Sequence, residues 1–214
     1  MMLEVSVNGR RIEASSGQTV LEAARDHGIE IPTLCYHPDL SLEGSCRLCL
    51  VEVDGISHEM VACCLKVEPG MVVRTETPRL HQARKDVLEM LLSRYHDAGY
   101  APGDGEKTEF QHWVRRYGAK SPTDDPPRYP VNADPNPFVW VDLNKCILCT
   151  RCVRACAEVQ GRFVWGVAGR GDHSRIVAGA DSDMLSARCE SCGACVAYCP
   201  TGALDDKPSV GRGR

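Results

Sequence analysis

Residues 142–156 read DLNKCILCTRCVRAC, and residues 189–204 read CESCGACVAYCPTGAL. Each stretch contains four cysteines with the spacing C-x2-C-x2-C-x3-C, and a proline directly follows the last cysteine of the second stretch. The cysteines are Cys146, Cys149, Cys152 and Cys156 in the first run, and Cys189, Cys192, Cys195 and Cys199 in the second. The two runs are the only internal repeat in the chain, and they predict two similar metal centres.

The spacing favours iron–sulfur clusters over zinc or disulfides. Two residues between cysteines allow a tight loop to direct successive thiolates at one centre, and a distant segment supplies the fourth. Zinc sites usually take their ligands as two separated pairs. The chain is also too long, and its composition too ordinary, for a small disulfide scaffold.

Bacterial two-cluster ferredoxins use the same run to hold [4Fe-4S] clusters, and the fourth cysteine of each run ligates the other cluster. This rule predicts two crossed ligand sets. One [4Fe-4S] cluster is assigned to Cys146, Cys149, Cys152 and Cys199, and the other to Cys156, Cys189, Cys192 and Cys195.

Composition excludes several classes of protein. The chain has 214 residues, enough for one or two domains, and only 6% are aromatic, so bound clusters are expected to supply part of the cohesion. A net charge of −4 does not indicate a nucleic acid or an anionic membrane as partner. No apolar stretch is long enough to span a bilayer. Thirteen cysteines without a secretory signal indicate a reducing cytoplasm.

The first 30 residues predict a hairpin followed by a helix. Asn8-Gly9 follows the alternating stretch Leu3–Val7, and this dipeptide between alternating runs is a strong hairpin signal. Thr19 and Glu22 fit a capping box that opens a helix, and Gly28 suits the left-handed position that ends it. A hairpin, a helix and then a cysteine loop are typical of the β-grasp ferredoxin fold.

Four further cysteines predict a [2Fe-2S] cluster in this domain. Cys35, Cys46, Cys49 and Cys63 have the spacing C-x10-C-x2-C-x13-C, with a longer first gap than in plant-type ferredoxins. The neighbouring Cys64 is the alternative fourth ligand, although a small buried side chain is its simpler role. His37 is interpreted as a packing residue because Rieske centres need two histidines.

The chain resembles the large iron–sulfur subunit of respiratory NADH dehydrogenase, and the matching subunits of NAD-reducing hydrogenases and NAD-dependent formate dehydrogenases. The resemblance rests on the two cysteine runs quoted above and on three N-terminal segments. These are IPTLCYHPDL (31–40), GSCRLCLVEVDG (44–55) and MVACCLKVEPGM (60–71). In the family the fourth [2Fe-2S] ligand follows alanine, as Cys63 follows Ala62, which favours Cys63 over Cys64.

One family feature is absent from the sequence. The resembling subunits hold a further [4Fe-4S] cluster with the motif H-x3-C-x2-C-x5-C. The histidine corresponds to His96, but the cysteine positions hold Tyr100, Gly103 and, within one residue, Glu109. No cysteine lies between Cys64 and Cys146, so this cluster is expected to be lost while the segment keeps its approximate fold.

These observations predict an α+β chain with three parts and a tail. A helix is expected over Leu80–Tyr95, and six prolines between residues 120 and 137 indicate an extended connector. The parts are a β-grasp [2Fe-2S] domain (1–77), a helical and proline-rich connector (78–140), a two-[4Fe-4S] ferredoxin-like domain (141–207) and a tail (208–214).

The sequence contains no nucleotide-binding fingerprint and no recognisable catalytic centre. The resemblance implies a subunit that relays single electrons between an NAD(H)-linked flavin subunit and a catalytic subunit, either a hydrogenase or a formate dehydrogenase. Two other functions stay open. One is a free ferredoxin that shuttles electrons between enzymes, and the other is an enzyme that reduces its substrate at a cluster.

Overall fold

A computed structural model describes residues 2–97 and 107–207. The N-terminal part is a five-stranded sheet with the order β2-β1-β5-β3-β4. Its strands are β1 (Met2–Val7), β2 (Arg10–Ser15), β3 (Leu50–Val53), β4 (Met60–Val61) and β5 (Val72–Arg74). Strands β1 and β5 are parallel, and the other neighbours are antiparallel. This arrangement agrees with the predicted β-grasp domain.

The local signals in this domain are confirmed. Asn8 and Gly9 both have positive φ angles, 52° and 79°, between the antiparallel strands β1 and β2. Helix α1 (Val20–Asp26) begins at Thr19, whose hydroxyl accepts from the Glu22 backbone N–H while the Glu22 carboxylate accepts from the Thr19 backbone N–H. Gly28, at φ 71°, follows the end of the helix. The apolar face of α1 and the sheet enclose the first core.

Two helices form a second core behind the first cysteine loop. Helix α2 (Pro78–Leu92) has Thr77 as its N-cap, and helix α3 (Glu109–Tyr117) ends at Gly118 in the left-handed conformation. Leu88 of α2 packs with Phe110 of α3 and with Leu34 and Cys35 of the cysteine loop. Helix α2 therefore supports the cysteine loop directly, and it also packs on α3, a helix that the sequence pattern does not predict.

A buried arginine ties these elements together. Arg84 of α2 is 0% exposed. Its guanidinium donates to the backbone oxygen of Leu50 at 2.6 Å and to the hydroxyl oxygen of Tyr117 at 3.0 Å. Because these partners begin β3 and end α3, one cation fixes the position of α2 against both.

Residues 119–138, all of them described, form no helix or strand, as the prolines predict. The connector is nevertheless fixed to the C-terminal part. The buried Asn144 side chain accepts from the backbone N–H groups of Arg128 and Tyr129 and donates to the Tyr129 backbone oxygen, all within 2.9 Å. Asn144 therefore holds this irregular segment in one place.

In the C-terminal part, each of the two cysteine runs is associated with a pair of antiparallel strands and a short helix. Strand β6 (Val139–Val141) pairs antiparallel with β9 (Leu204–Asp206), and the first run leads into α4 (Arg151–Arg154). The hairpin β7 (Trp165–Ala168) and β8 (Arg175–Ala178) separates the runs, and the second run leads into α5 (Ala194–Ala197). The third core lies between these elements and contains Cys152, Cys156 and Cys195.

Two short 3₁₀ turns complete the fold, at Leu143–Lys145 and Gly171–His173. The sequence predicts a helix from Val153 to Val159, but α4 begins two residues earlier and changes to a π turn at Ala155–Val159. In the described part of the chain, no helix combines the length and apolar character needed to cross a membrane. The predicted tail, 208–214, lies outside the described residues.

Candidate metal centres

The first candidate centre is formed by Cys35, Cys46, Cys49 and Cys63, whose side chains are all buried. Hydrogen bonds from the thiols of Cys46 and Cys63 hold the pKa of Cys35 far below its ordinary value. A hydrogen bond from the Cys63 thiol likewise lowers the pKa of Cys49. These hydrogen bonds link the four thiols in one group. The arrangement suits a cluster that takes one thiolate from each cysteine.

The loop backbone is shaped to hold this group of thiols. Arg47 lies between Cys46 and Cys49 and adopts the left-handed region at φ 57°. Consecutive right- and left-handed residues turn backbone N–H groups toward a common anion. A hydrogen bond from the Ala62 backbone N–H to the Cys49 backbone oxygen at 2.9 Å joins this loop to the segment that contains Cys63. Cys63 is thereby placed opposite the C-x2-C pair.

Cys64 lies outside this set of four. The expectation of a buried side chain here is wrong, because Cys64 is exposed, and its sulfur is 3.6 Å from that of Cys63. Gly44 adopts φ 63°, and a Cβ atom there would lie 2.9 Å from the Cys64 sulfur, so glycine leaves the space that this thiol occupies. The exposure of Cys64 favours Cys63 as the fourth ligand.

His37 contacts the C-terminal part instead of the cysteines. Its ring packs edge-on against Tyr198 with 4.5 Å between ring centroids. Burial lowers the pKa of His37, which favours the neutral ring. The neighbouring Asp39 accepts from the Tyr198 hydroxyl at 3.0 Å. This geometry agrees with a packing role for His37.

The second candidate centre joins the first cysteine run to Cys199. Burial raises the pKa of Cys146 to about 11, and the charge of Cys199 adds to the increase. Burial also raises the pKa of Cys149 and Cys152, and again Cys199 contributes. Electrostatic influence of this kind requires proximity. Cys199 therefore lies with the first three cysteines of the other run.

The third candidate centre mirrors the second. Burial raises the pKa of Cys195 to about 12, with further increases from the charges of Cys189, Cys192 and Cys156. The pKa of Cys189 is raised by burial and then by Cys192 and Cys156. Cys156 thus lies near Cys189 and Cys195, and these three cysteines line one small cavity together with Cys192.

Both runs direct backbone N–H groups at sulfur. Leu148 and Ser191 occupy the same position in each run and have left-handed φ angles of 56° and 55°. Their N–H groups donate to the sulfur atoms of Cys146 and Cys189 at 3.5 Å and 3.3 Å. The Val164 N–H donates to the Cys156 sulfur at 3.3 Å. Such bonds stabilise thiolate charge and tune the potential of a bound cluster.

Cys156 lies in a π turn. The turn at Ala155–Val159 adds one residue to the helical repeat directly around this cysteine. Single π turns inside helices occur frequently at functional sites. Here the turn begins one residue before Cys156, the first-run cysteine that lies near Cys189 and Cys195.

The segment around His96 contains a polar network in the described residues. The His96 backbone N–H donates to the Asn144 backbone oxygen at 2.7 Å. The Asp97 carboxylate accepts from Lys145 at 3.1 Å and from Gln111 at 3.3 Å. Glu109 pairs with Arg151 instead. Tyr100 and Gly103 lie outside the described residues.

No group of three or more His, Cys, Asp or Glu side chains in residues 2–97 and 107–207 is arranged to hold a single metal ion. A cluster makes a different demand, because its cysteines bind different iron atoms. The fit to clusters therefore rests on the three sets of neighbouring thiols and on the N–H groups directed at their sulfur atoms.

Three arginines outside the predicted site residues also contact the cysteine loops. Arg94 donates to the backbone oxygen of Cys146 at 3.1 Å. Arg151 donates to the backbone oxygen of Tyr36 at 2.7 Å and to the Glu109 carboxylate at 2.8 Å. Arg154 donates to the backbone oxygens of Cys35 and Cys149 at 2.6 Å and 3.2 Å. The sequence carries no signal for these contacts, because nearly all of the partners are distant along the chain.

Two family models match the chain. Residues 1–78 match a 2Fe-2S iron–sulfur cluster binding domain. Residues 136–205 match the ferredoxin-like domain of NADH-quinone oxidoreductase subunit 3. Together they support an N-terminal [2Fe-2S] domain and a C-terminal ferredoxin-like domain, in the order predicted from the cysteine spacing.

Curated relatives match nearly the whole chain. An NADH-quinone oxidoreductase subunit of Rhizobium meliloti is 39% identical over 97% of this chain and 24% of its own length. The mitochondrial NADH-ubiquinone oxidoreductase 78 kDa subunit of Candida albicans is 35% identical over 99% of this chain and 29% of its own length. The NADP-reducing hydrogenase subunit HndD of Solidesulfovibrio fructosivorans is 35% identical over 95% of this chain and 36% of its own length. The chain thus spans about a quarter to a third of these relatives.

A solved structure has a more similar length. One chain of the crystal structure of NAD+-reducing [NiFe]-hydrogenase in the H2-reduced state is 32% identical. The match covers 99% of this chain and 90% of that chain, with a TM-score of 0.83. The likeness therefore includes both parts of the fold and the segment between them.

Proposed function

Because the chain belongs to the family of iron–sulfur subunits of NADH dehydrogenase and NAD-reducing hydrogenase complexes, we propose that it relays single electrons within such a complex. Its own contribution is to bind three clusters, to fix their separation and to tune their potentials. The electron donor is proposed to be an NAD(H)-linked flavin subunit, and the acceptor a hydrogenase or formate dehydrogenase catalytic subunit.

The three sets of cysteines are proposed as the ligands. The [2Fe-2S] cluster is assigned to Cys35, Cys46, Cys49 and Cys63. One [4Fe-4S] cluster is assigned to Cys146, Cys149, Cys152 and Cys199, and the other to Cys156, Cys189, Cys192 and Cys195. Bound clusters supply one-electron redox chemistry. The burial of most of these thiols and the N–H groups directed at sulfur support the assignment.

This proposal rests on the presence of four cysteines in each proposed ligand set. A cluster with four cysteine ligands has no iron left for a substrate, so this composition favours electron transfer over substrate reduction. The chain's residues then serve two roles. Cysteine thiolates hold each centre, and the surrounding backbone and arginines stabilise the charge that changes when an electron arrives.

The test begins with iron and acid-labile sulfide per chain, measured on protein purified without oxygen. Three clusters predict about 10 iron atoms. About 14 would indicate a fourth [4Fe-4S] cluster and contradict the interpretation of the His96 segment. Stoichiometric zinc with almost no iron would refute the electron-transfer function.

Co-purification then tests the partners. Expression with flavin-containing and nickel- or molybdenum-containing subunits is expected to yield one complex in which this chain carries its iron. A monomer that forms no complex and exchanges electrons with several separate enzymes would instead support the shuttle function. The two outcomes differ in size-exclusion profile as well as in cofactor content.

A further inference from the structure

We propose that Arg154 is a positioning residue that joins the loop of the [2Fe-2S] cluster to the loop of one [4Fe-4S] cluster and supplies positive charge to both. The inference rests on the ligand sets assigned under the proposed function. It also sets an order, because it makes the [2Fe-2S] cluster the neighbour of the centre formed by Cys146, Cys149, Cys152 and Cys199.

The contacts of Arg154 link the two loops through a single nitrogen. Its Nη2 donates to the backbone oxygen of Cys35 at 2.6 Å and to that of Cys149 at 3.2 Å. Each oxygen belongs to a proposed ligand and is connected to its sulfur through the carbonyl carbon, Cα and Cβ. Nη1 donates to the backbone oxygen of Ser41, and Nε lies 3.4 Å from the Thr150 hydroxyl. The guanidinium therefore spans from one cysteine loop to the other.

No carboxylate in residues 2–97 and 107–207 accepts a hydrogen bond from Arg154. Arg154 is 7% exposed, and in the described residues its hydrogen bonds go only to uncharged oxygens. Glu158 is the carboxylate whose pKa it influences, but hydrogen bonds from Ser41 are the larger cause. A buried cation whose hydrogen bonds all go to uncharged oxygens is costly. Four thiolates give each cluster a net negative charge, so loaded clusters on both sides add to the compensation that Glu158 provides.

Two other arginines provide matched controls. Arg151 lies one turn earlier in α4, is 3% exposed and also crosses to the N-terminal loop. It is paired with Glu109 and contacts no ligand carbonyl in the described residues. Arg94 donates to the backbone oxygen of Cys146 alone among the proposed ligands. The guanidinium of Arg154 therefore donates to ligand carbonyls of two cluster loops, that of Arg94 to one, and that of Arg151 to none, although the Arg151 charge partly offsets the raised pKa of Cys149.

The experiment is an anaerobic redox titration of the complete, loaded protein, followed by EPR, for R154M, R154K, R151M and R94M. Removing positive charge disfavours the reduced cluster, so R154M is expected to lower the potentials of the [2Fe-2S] cluster and the adjacent [4Fe-4S] cluster together. A tenfold change in the reduced-to-oxidised ratio at fixed potential, about 59 mV for one electron, is the expected size. R94M and R151M are expected to move only the [4Fe-4S] signal, because their charges act on Cys146 and Cys149 and neither guanidinium donates to a proposed [2Fe-2S] ligand.

R154K separates charge from position. Lysine keeps the charge but cannot reproduce the planar set of donors. Its potentials are expected to stay near those of the wild type, while the spin–spin interaction between the two reduced clusters weakens. If R154M does not bind its clusters, the R154K measurement is sufficient. An unchanged spin–spin interaction between the two reduced clusters of R154K overturns the proposal. Equal [2Fe-2S] potentials in R154M and R151M also overturn it. A wild-type protein without the two cluster signals would refute the proposed function itself.

Discussion

Replacing Cys199 by alanine tests the crossed ligand sets. Cys199 belongs to the second run in sequence, yet its charge raises the pKa of Cys146 and Cys149 in the first. The variant is therefore expected to damage the cluster of the first run. Of the about ten iron atoms expected per chain, about one to four should be lost, depending on whether the cluster survives with three ligands. The other centres keep their full ligand sets.

The assay is EPR of the reduced protein compared across matched single variants. The spectrum of Cys199→Ala is expected to lack or alter the same signal as that of Cys146→Ala. It should differ from that of Cys189→Ala, although Cys189 lies in the same run as Cys199. Cys156→Ala supplies the reciprocal test, since it should reproduce Cys189→Ala.

One result would refute the reasoning. If Cys199→Ala and Cys189→Ala affect the same signal while Cys146→Ala affects another, each run holds its own cluster and the crossing is wrong. Iron content alone does not distinguish these cases, because both [4Fe-4S] clusters contain the same number of iron atoms. The EPR spectra do distinguish them, because each variant shows which cluster signal depends on the substituted cysteine.

Three further predictions follow from single side chains. Cys64→Ser is expected to leave the optical and EPR spectra of the [2Fe-2S] cluster unchanged while Cys63→Ser shifts them, and the reverse would make Cys64 the ligand. Arg84→Met is expected to destabilise the protein by about 3 kcal/mol in urea unfolding, because the Leu50 and Tyr117 oxygens lose their charged donor. A change below about 1 kcal/mol would contradict this role of Arg84. Thr19→Ala removes half of the capping box and is expected to cost about 1 kcal/mol in the same assay, whereas the exposed control Ser16→Ala should cost almost nothing.

Much of the fold could be predicted because its signals are local. Asn8-Gly9 specifies its turn because both residues accept positive φ angles, and Thr19 with Glu22 specifies a helix start because both side chains reach backbone N–H groups. The helix expected over Leu80–Tyr95 likewise corresponds to α2, although α2 begins at Pro78 and ends at Leu92. The sequence alone predicts neither helix α3 nor the change to a π turn after α4. Each of these depends on what the segment packs against more than on its own residues.

The spacing of the cysteines by itself determined the number and kind of the candidate centres, because a C-x2-C loop has only a few ways of pointing two thiols at one point. Tertiary structure alone decided how the centres are joined. Arg154 and Arg151 are ordinary helix residues in sequence, and their partners at Cys35 and Tyr36 lie more than a hundred residues away. A long-range hydrogen bond leaves no periodic trace in a sequence, so the contact between the two parts becomes visible only once the chain is folded.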